Sequence, residues 1–458
     1  MRVAVVGAGI GGLTAARDLV AAGHDVVVLE AAEVAGGKLR RAEVAGVALD
    51  VGTEAMLHRR PEGSALAADL GLPLVHPTGA SSRIWTRGSL RRLPRSLMGV
   101  PLDPDDLAAS GVLSPEGLAR ARVERVEPWD GEDVSVGELV AARFGDEVVD
   151  RLVEPLLGGV YAGHARRLSV RATVPALADL AARGPLVTEG ARTAPGAGTP
   201  VFAGLAGGMT SLVDALAAGL VVRTGATVRE LVRTPAGLAL VVGPTTAPER
   251  LEVDGVVLAV PPAPASRLLG DLAPRAAAEL AGVETASTVV VALALAAADV
   301  AGLGSYDGSA AGFLVPPVDG RAIKASTFSF AKWEHVRAAG AAEGVVHLRT
   351  SLGRLGEEAT LQRDDADLVA DSLADLRAAT GLDARPVDAV VQRWGGALPQ
   401  YAVGHLDRVA RVRAAVAEVG GLVVCGAAYD GVGVPAVIGS AHRAAGELAE
   451  DLRGRMGP

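Results

Sequence analysis

The sequence predicts an α/β fold around a parallel sheet, and two stretches near opposite ends of the chain carry this prediction. Near the start, the apolar run Arg2 to Val6 leads into glycines, a helical pattern and a second apolar run, His24 to Glu30. Near the other end, Gly421 to Gly426 is again an apolar run, followed by a glycine-rich turn and a helical pattern. Short apolar runs between turn signals are typical of buried parallel strands, and their alternation with helices indicates a parallel sheet.

The composition excludes several classes of protein. The 458 residues are 50% hydrophobic, which is enough apolar surface for the cores of two or three domains and excludes a disordered chain. A formal net charge of -9 argues against a nucleic-acid partner. The single cysteine, Cys425, excludes a disulfide framework and fits a reducing cytoplasm. Because no apolar run reaches the roughly 18 residues of a membrane span, we expect a cytoplasmic protein without a transmembrane segment.

The glycines of the first turn match a dinucleotide-binding pattern. Gly7 allows the tight turn, Gly9 lets a pyrophosphate approach the backbone, and Gly12 lets the helix pack on the strand. Backbone N–H groups at the helix start and the helix dipole then bind the phosphates. Glu30 ends the second strand, where its carboxylate can accept hydrogen bonds from ribose hydroxyls. The alternative is a glycine-rich turn that binds no ligand.

The residues after Glu30 favour a flavin over a nicotinamide. Gly36, Gly37 and Lys38 follow this acid at the point where a simple nicotinamide domain would continue into another helix. They resemble the extended flavin site of the amine-oxidase-like flavoproteins. Lys38 stands where that family usually has Arg, so that a bidentate contact becomes a single-point contact.

Several separated stretches resemble one family, the oxygen-dependent protoporphyrinogen and coproporphyrinogen oxidases. They are distributed over nearly the whole chain, and the last two are the most specific to that family. Beyond the N-terminal turn, these stretches are Val153–Gly163 with Leu168 and Ser169, Leu205–Met209, Trp394–His405 and Tyr429–Pro435. His164 departs from the family, which more often has an acidic residue there.

This resemblance implies the fold and its division into domains. A Rossmann-like FAD-binding domain is expected from the discontinuous segments 1–75, 196–270 and 391–458. A helical domain is expected at 76–195 and a mixed-sheet substrate domain at 271–390, so that α+β insertions extend the α/β core. Val221 to Val232 and Val253 to Val260 are expected as strands of the second sheet of the FAD-binding domain.

The resemblance also implies non-covalently bound FAD. Val228 is expected to contact the adenine through its backbone, and Trp394 to lie against the flavin. The full set of residues predicted to bind the cofactor is Gly7, Ala8, Gly9, Ile10, Gly11, Gly12, Glu30, Ala31, Lys38, Gly52, Thr53, Glu54, Ala55, Val228, Trp394, Val432, Gly433 and Val434.

The reaction implied is the six-electron oxidation of a porphyrinogen, in rounds of hydride transfer from carbon to the flavin N5. Oxygen reoxidises the flavin and yields hydrogen peroxide. Because the cofactor performs the difficult step, no catalytic residue is assigned. No metal site is assigned either, since no two histidines pair at ligand spacing.

The substrate carries propionates while the protein is net negative, so a local cationic patch is expected to bind it. Arg83 to Arg95 holds five arginines and no acid, and Arg83 best matches the family's substrate-contacting arginine. Gly158, Gly159 and Val160 are expected to form another wall, where absent side chains let a flat ring approach. The alternatives are a solvated basic hairpin or a patch that contacts anionic lipid, and for the glycines a helix C-cap turn.

The lack of a membrane-binding apolar stretch favours coproporphyrinogen III as substrate, with protoporphyrinogen IX as the alternative. An amine oxidase or carotenoid desaturase would share the fold and both flavin-binding ends, but Pro399 to His405 disfavours it. A non-enzymatic escort protein on the same fold would lack the C-terminal flavin turn, which is intact here. Docking of a downstream chelatase and peripheral membrane contact stay open.

Overall fold

The computed structural model describes residues 1–127, 129, 131–192, 200–300 and 310–455. The strands are, in chain order, β1 (Arg2–Val6), β2 (Asp25–Leu29), β3 (Arg41–Val44), β4 (Val47–Asp50), β5 (Met56–Leu57), β6 (Leu74–Val75), β7 (Ser81–Thr86), β8 (Ser89–Arg92), β9 (Ser96–Leu97), β10 (Val100–Pro101), β11 (Phe202–Leu205), β12 (Val221–Arg223), β13 (Val228–Thr234), β14 (Gly237–Val242), β15 (Glu249–Val253), β16 (Gly255–Leu258), β17 (Thr285–Ala296), β18 (Ala310–Leu314), β19 (Ile323–Thr327), β20 (Val345–Leu352), β21 (Pro386–Pro399) and β22 (Leu422–Val424).

The helices occupy the stretches between these strands. The α-helices are α1 (Ile10–Ala21), α2 (Pro61–Asp69), α3 (Pro104–Ser110), α4 (Pro115–Ala121), α5 (Val136–Phe144), α6 (Asp146–Val148), α7 (Glu154–Tyr161), α8 (Val170–Thr173), α9 (Pro175–Arg183), α10 (Leu186–Arg192), α11 (Thr210–Ala217), α12 (Pro262–Leu269), α13 (Pro274–Ala281), α14 (Ala297–Val300), α15 (Ser329–Lys332), α16 (Glu334–Ala342), α17 (Asp365–Thr380), α18 (His405–Ala417) and α19 (Val434–Arg455). A π-helical turn, Val149–Val153, joins α6 to α7.

A parallel sheet in the order β12-β2-β1-β16-β22 carries the predicted dinucleotide-binding turn. Strand β1 is buried on both faces: Val3 and Val5 pack with α1 and α19, while Ala4 and Val6 pack with α12 and α18. Burial on both faces explains why this strand is continuously apolar rather than alternating. The strands and helices predicted at both ends of the chain are present, and the predicted α/β class is confirmed.

One strand prediction needs correction. Residues 221–223 (β12) and 255–258 (β16) belong to this parallel sheet, not to a second one. The second sheet is instead antiparallel and consists of β13, β14 and β15. The reason is that β16 is buried along its whole length between β1 and β22, as suits an interior strand of a parallel sheet.

A mixed sheet follows the order β21-β17-β20-β19-β18-β7-β8 within the described part of the chain. On one face, Val289, Val291 and Leu293 of β17 pack against α17. On the other face, Ala292 and Ala294 of the same strand pack toward β3 and β4. This second face is turned toward the segment that follows β4.

The segment 76–195 contributes strands as well as helices. Strand β7 pairs in parallel with β18 and antiparallel with β8, so the start of this segment belongs to the mixed sheet. Its helices pack together around a core that includes Phe144, Leu152, Leu157 and Tyr161. The division into three domains as a whole stays a prediction, and its boundary at 195 and 196 lies outside the described residues.

Among the described residues, none of the helices combines the length and the apolar character that a membrane crossing requires.

Candidate functional site

A cavity of about 660 Å³ opens at the carboxyl end of the parallel sheet. Its walls come from the glycine turn before α1, the segment after β2, strand β21 and the turn between β22 and α19. This is the position where open α/β sheets bind their ligands. The cavity therefore brings together the two ends of the chain that carried the fold prediction.

The three glycines of the first turn play different structural roles. A Cβ on Gly7 would lie 2.6 Å from the Ala259 carbonyl oxygen, and one on Gly12 would lie 1.9 Å from the Gly7 carbonyl oxygen. Side chains at these two positions would therefore break the packing of α1 against the sheet. A Cβ on Gly9 would meet no described atom within 4 Å, so Gly9 faces open space at the N-terminus of α1.

Glu30 organises the backbone beside this turn. One carboxylate oxygen accepts the Ala8 N–H at 2.7 Å and the other accepts the Ala32 N–H at 2.9 Å. Because a carboxylate oxygen accepts more than one hydrogen bond, both oxygens keep acceptor capacity toward the cavity.

Lys38 belongs to the lining of the same cavity. Burial away from water lowers the pKa of Lys38 to about 8. Its backbone carbonyl oxygen accepts the Thr53 N–H at 3.1 Å, which joins the two segments that follow β2 and β4.

Trp394 and the segment after β4 form the next wall. The Trp394 indole N–H donates to the Val51 carbonyl oxygen at 3.1 Å, and a Cβ on Gly52 would lie 3.2 Å from the ring. Thr53 lines the cavity of about 660 Å³, whereas the next residue, Glu54, is not part of its lining.

Glu54 lies instead on a second cavity of about 460 Å³. Its carboxylate lies 2.6 Å from the Lys332 Nζ and 3.0 Å from the Arg349 guanidinium. Burial alone would raise the pKa of Glu54, but the charges of Arg349 and Lys332 lower this pKa to about 2, and Arg349 has the larger effect. The residue predicted to bind the cofactor is thus part of a buried ion network that involves the mixed sheet.

Tyr401 holds the C-terminal turn in place. Its hydroxyl donates to the Ala427 carbonyl oxygen at 2.5 Å and accepts the Gly431 N–H at 2.9 Å. The His405 ring stacks on the Tyr401 ring with centroids 3.9 Å apart. Both hydrogen bonds of the Tyr401 hydroxyl are therefore made with the backbone of this turn.

Most of the residues predicted to bind the cofactor line the cavity, and the others do not. Those on the lining are Gly7, Gly9, Ile10, Gly11, Glu30, Ala31, Lys38, Thr53, Val228, Trp394, Val432 and Val434. Those that are not on it are Ala8, Gly12, Gly52, Glu54, Ala55 and Gly433. Lining residues that sequence analysis missed include Arg40, Pro261, Arg393, Gly426 and Ala427. Gly426 and Ala427 follow directly after β22, and their position at the end of a parallel strand could have revealed them.

The predicted substrate wall lies in the last turns of α7. Gly158 is buried, yet a Cβ there would meet no described atom within 4 Å, so the helix faces open space at this point. A Cβ on Gly159 would lie 3.8 Å from the Leu314 side chain of β18. The helix then ends at Ala162, in a left-handed conformation with φ 50°. The alternative of a C-cap turn therefore applies to Ala162 and not to the two glycines.

Arg83 is not brought together with these glycines. In β7, Ile84 packs with the helical core on one face of the mixed sheet, and Trp85 packs with Phe313 on the other. By strand alternation Arg83 lies on the face of Trp85, opposite to the face that Leu314 and Gly159 share.

The other arginines of this hairpin are largely used within the protein. Arg87 donates to the Leu113 carbonyl oxygen, Arg91 donates to the Thr86 carbonyl oxygen at 3.3 Å, and Arg92 pairs with Asp106 at 2.6 Å. Arg95 is exposed. These contacts favour a structural role for most of the basic patch.

Comparison with known proteins identifies the family. Residues 10–449 match the model of the flavin containing amine oxidoreductases. A coproporphyrinogen III oxidase of Mycobacterium bovis is 39% identical, over 98% of this chain and 97% of that protein. One of Bacillus subtilis is 30% identical, over 94% of each. A crystal structure from Exiguobacterium sp. 255-15, provisionally assigned as a protoporphyrinogen oxidase, superposes with a TM-score of 0.86 at 28% identity, over 98% of this chain and 99% of that one. The chain is therefore a flavin-dependent oxidoreductase that belongs to the flavin containing amine oxidoreductase family, in its bacterial coproporphyrinogen III oxidase branch.

Proposed function

We propose that this protein oxidises coproporphyrinogen III to coproporphyrin III with non-covalently bound FAD, molecular oxygen being the electron acceptor. The observation that supports this substrate most directly is the full-length similarity to coproporphyrinogen III oxidases, which spans the cofactor cavity and α7 alike. Protoporphyrinogen IX is the second candidate substrate, because the Exiguobacterium structure is provisionally assigned as a protoporphyrinogen oxidase.

The cavity fits FAD on three features of its lining. Open space in front of Gly9, at a helix N-terminus that no described side chain caps, suits a pyrophosphate. Glu30 keeps acceptor capacity for ribose hydroxyls, and the Lys38 amine can pair with an anion. Cys425 is completely buried and its pKa is raised to about 12, so the one thiol of the sequence does not suit covalent attachment.

The residues of this chain bind, orient and shield, while bound flavin supplies the chemistry by accepting hydride from carbon and passing electrons to oxygen. Trp394 and Tyr401 fix two backbone segments that border the cavity. The open space at Gly158, next to Gly159 and Leu314, is where we place one face of the flat macrocycle. Positioning of this kind accelerates a reaction by holding the reacting atoms in productive geometry.

The test of this proposal uses purified protein and two substrates in separate cuvettes under air. We expect the purified protein to show a flavin absorbance spectrum. Turnover is measured by porphyrin fluorescence, and we expect a higher kcat/KM for coproporphyrinogen III than for protoporphyrinogen IX. Faster turnover of protoporphyrinogen IX would transfer the assignment to the second candidate. A flavin spectrum with neither porphyrin formed would overturn both and favour an amine or a polyene as substrate.

A cytoplasmic location is part of the proposal. It is supported by the single cysteine of the sequence, since one thiol cannot form an intramolecular disulfide.

A further inference from the structure

The segment that follows β4 is held from both sides, and only one of those sides belongs to the cofactor cavity. On the cavity side, Trp394 donates to the Val51 carbonyl oxygen and Thr53 donates its N–H to the Lys38 carbonyl oxygen. Thr53 itself lines the cavity. Any displacement of this segment would therefore move the wall that carries Lys38, Thr53 and Trp394.

On the opposite side, the segment is bound by one arginine of the mixed sheet. Arg349 of β20 donates to the carbonyl oxygens of Asp50 and Gly52, the latter at 3.0 Å. A second nitrogen of the same guanidinium lies 3.0 Å from the Glu54 carboxylate. The planar fork of the guanidinium thus fixes three acceptors of one extended segment, which a lysine amine could not do.

Lys332, at the end of α15, completes the network. Its amine lies 2.6 Å from the other Glu54 oxygen, so the carboxylate is held between one cation of the mixed sheet and one of helix α15. The Glu54 and Arg349 side chains are each only 12% exposed. Removing one partner from such a largely buried network leaves charge uncompensated, and a displacement of the segment that relieves this charge becomes favourable.

We propose that Glu54, Arg349 and Lys332 form a positioning triad, which fixes the backbone of residues 50–54 behind the cofactor cavity and thereby connects the mixed sheet to the bound flavin. The triad acts through the backbone and does not contact the cofactor itself. Glu54 is therefore a positioning residue rather than a cofactor ligand. The inference rests on the proposed binding of FAD in this cavity and does not depend on which porphyrinogen is the substrate.

The decisive experiment compares substitutions of two glutamates, each of which forms an ion pair with a largely buried arginine. Glu54→Gln breaks the triad, while the control Glu124→Gln breaks the Arg143–Glu124 pair, whose side chains are 3% and 9% exposed and lie in the helical core. Both variants are expected to melt at lower temperature. Only Glu54→Gln is expected to raise the Kd for FAD, by about tenfold, and to shift the visible flavin spectrum and the midpoint potential.

An FAD Kd, spectrum and potential equal to those of the wild type in Glu54→Gln would overturn the proposal, as would equal changes in Glu124→Gln. If Glu54→Gln does not fold, Arg349→Lys replaces it, because lysine keeps the charge beside Glu54 but cannot bind the Asp50 and Gly52 carbonyl oxygens together. Wild-type FAD binding by that variant, with an unchanged flavin spectrum, would also overturn the triad. If the wild type binds FAD but oxidises neither porphyrinogen, the proposed function is wrong. The FAD Kd, spectrum and potential of the variants then still test whether the triad positions the cavity wall.

Discussion

The cofactor cavity and the substrate wall were predicted from the same sequence, yet they differ in how much of the prediction the structure brings together. Gly7, Gly9 and Glu30 lie in one strand–turn–helix–strand unit, and all three line one cavity. Arg83 and Gly158 come from a strand and a helix that meet only in the tertiary structure, and they lie toward opposite faces of the mixed sheet.

The difference shows how position along the chain translates into position in space. In a local βαβ unit, the spacing of the residues fixes their geometry, because the turn allows few conformations. In a strand, a shift of one residue turns every side chain to the other face. Ile84 and Arg83 are neighbours in sequence, but only Ile84 lies on the face that packs against the helices around α7.

The largest expected effect comes from filling the open space at Gly9. We expect Gly9→Val to raise the Kd for FAD by at least about a hundredfold, close to 3 kcal/mol, because the new side chain occupies the space in front of the helix N-terminus. Isothermal titration of the apoprotein with FAD measures this effect. The control is Gly79→Val, at an exposed glycine outside the cavity where a Cβ would also meet no described atom within 4 Å. Tight FAD binding by Gly9→Val would remove Gly9 from the cofactor site.

The second effect tests the wall formed by α7. Gly158→Val is expected to lower kcat/KM for coproporphyrinogen III by about thirtyfold, or 2 kcal/mol, because its side chain fills the space where a flat ring would lie. The Kd for FAD should not change. The matched control is Gly446→Val, an exposed glycine in the middle of α19. Wild-type kinetics in Gly158→Val would show that the substrate does not approach this helix.

The third effect is a dependence of cofactor affinity on pH. The pKa of Lys38 is lowered to about 8 by burial, and a bound diphosphate favours the charged amine, which is present below this pKa and lost as the pH rises through it. Between pH 7 and pH 9 we therefore expect the FAD affinity to fall by about tenfold. Lys38→Arg should remove this fall, since arginine stays charged across the range. An equal fall in both proteins would assign the effect to another group.

The smallest effect is expected at Arg83. Because Arg83 lies on the face of Trp85, Arg83→Ala should change the KM for coproporphyrinogen III by less than about twofold. Steady-state kinetics beside the control Arg95→Ala, an exposed arginine of the same patch, measure this. A tenfold rise in KM confined to Arg83→Ala would place Arg83 in the substrate site. The residues of the substrate wall would then have been predicted from the sequence as well as those of the cofactor cavity.

Two strands of the parallel sheet could be predicted from the sequence, because Arg2–Val6 and Leu422–Val424 are short apolar runs that are followed by glycines. The ion pair of Glu54 could not be predicted in this way, because its partner Lys332 lies 278 residues away in the chain. Thr53 and Glu54 look alike as members of one motif, and only the tertiary structure shows that they serve different cavities. The strands β12 and β16 were assigned to the wrong sheet for the same reason, since strand pairing is not encoded in a single run of residues.

The order of strands in the parallel sheet also determines when the sheet can be completed during translation. Strand β16 pairs with β22, which is translated about 170 residues later, so at roughly 5–20 residues per second one edge of β16 stays unpaired for about 10 to 30 seconds. The turn after β22 forms part of the cofactor cavity. The complete cavity therefore forms only after this late segment has left the ribosome, so that a ligand that needs the whole lining binds at the end of synthesis.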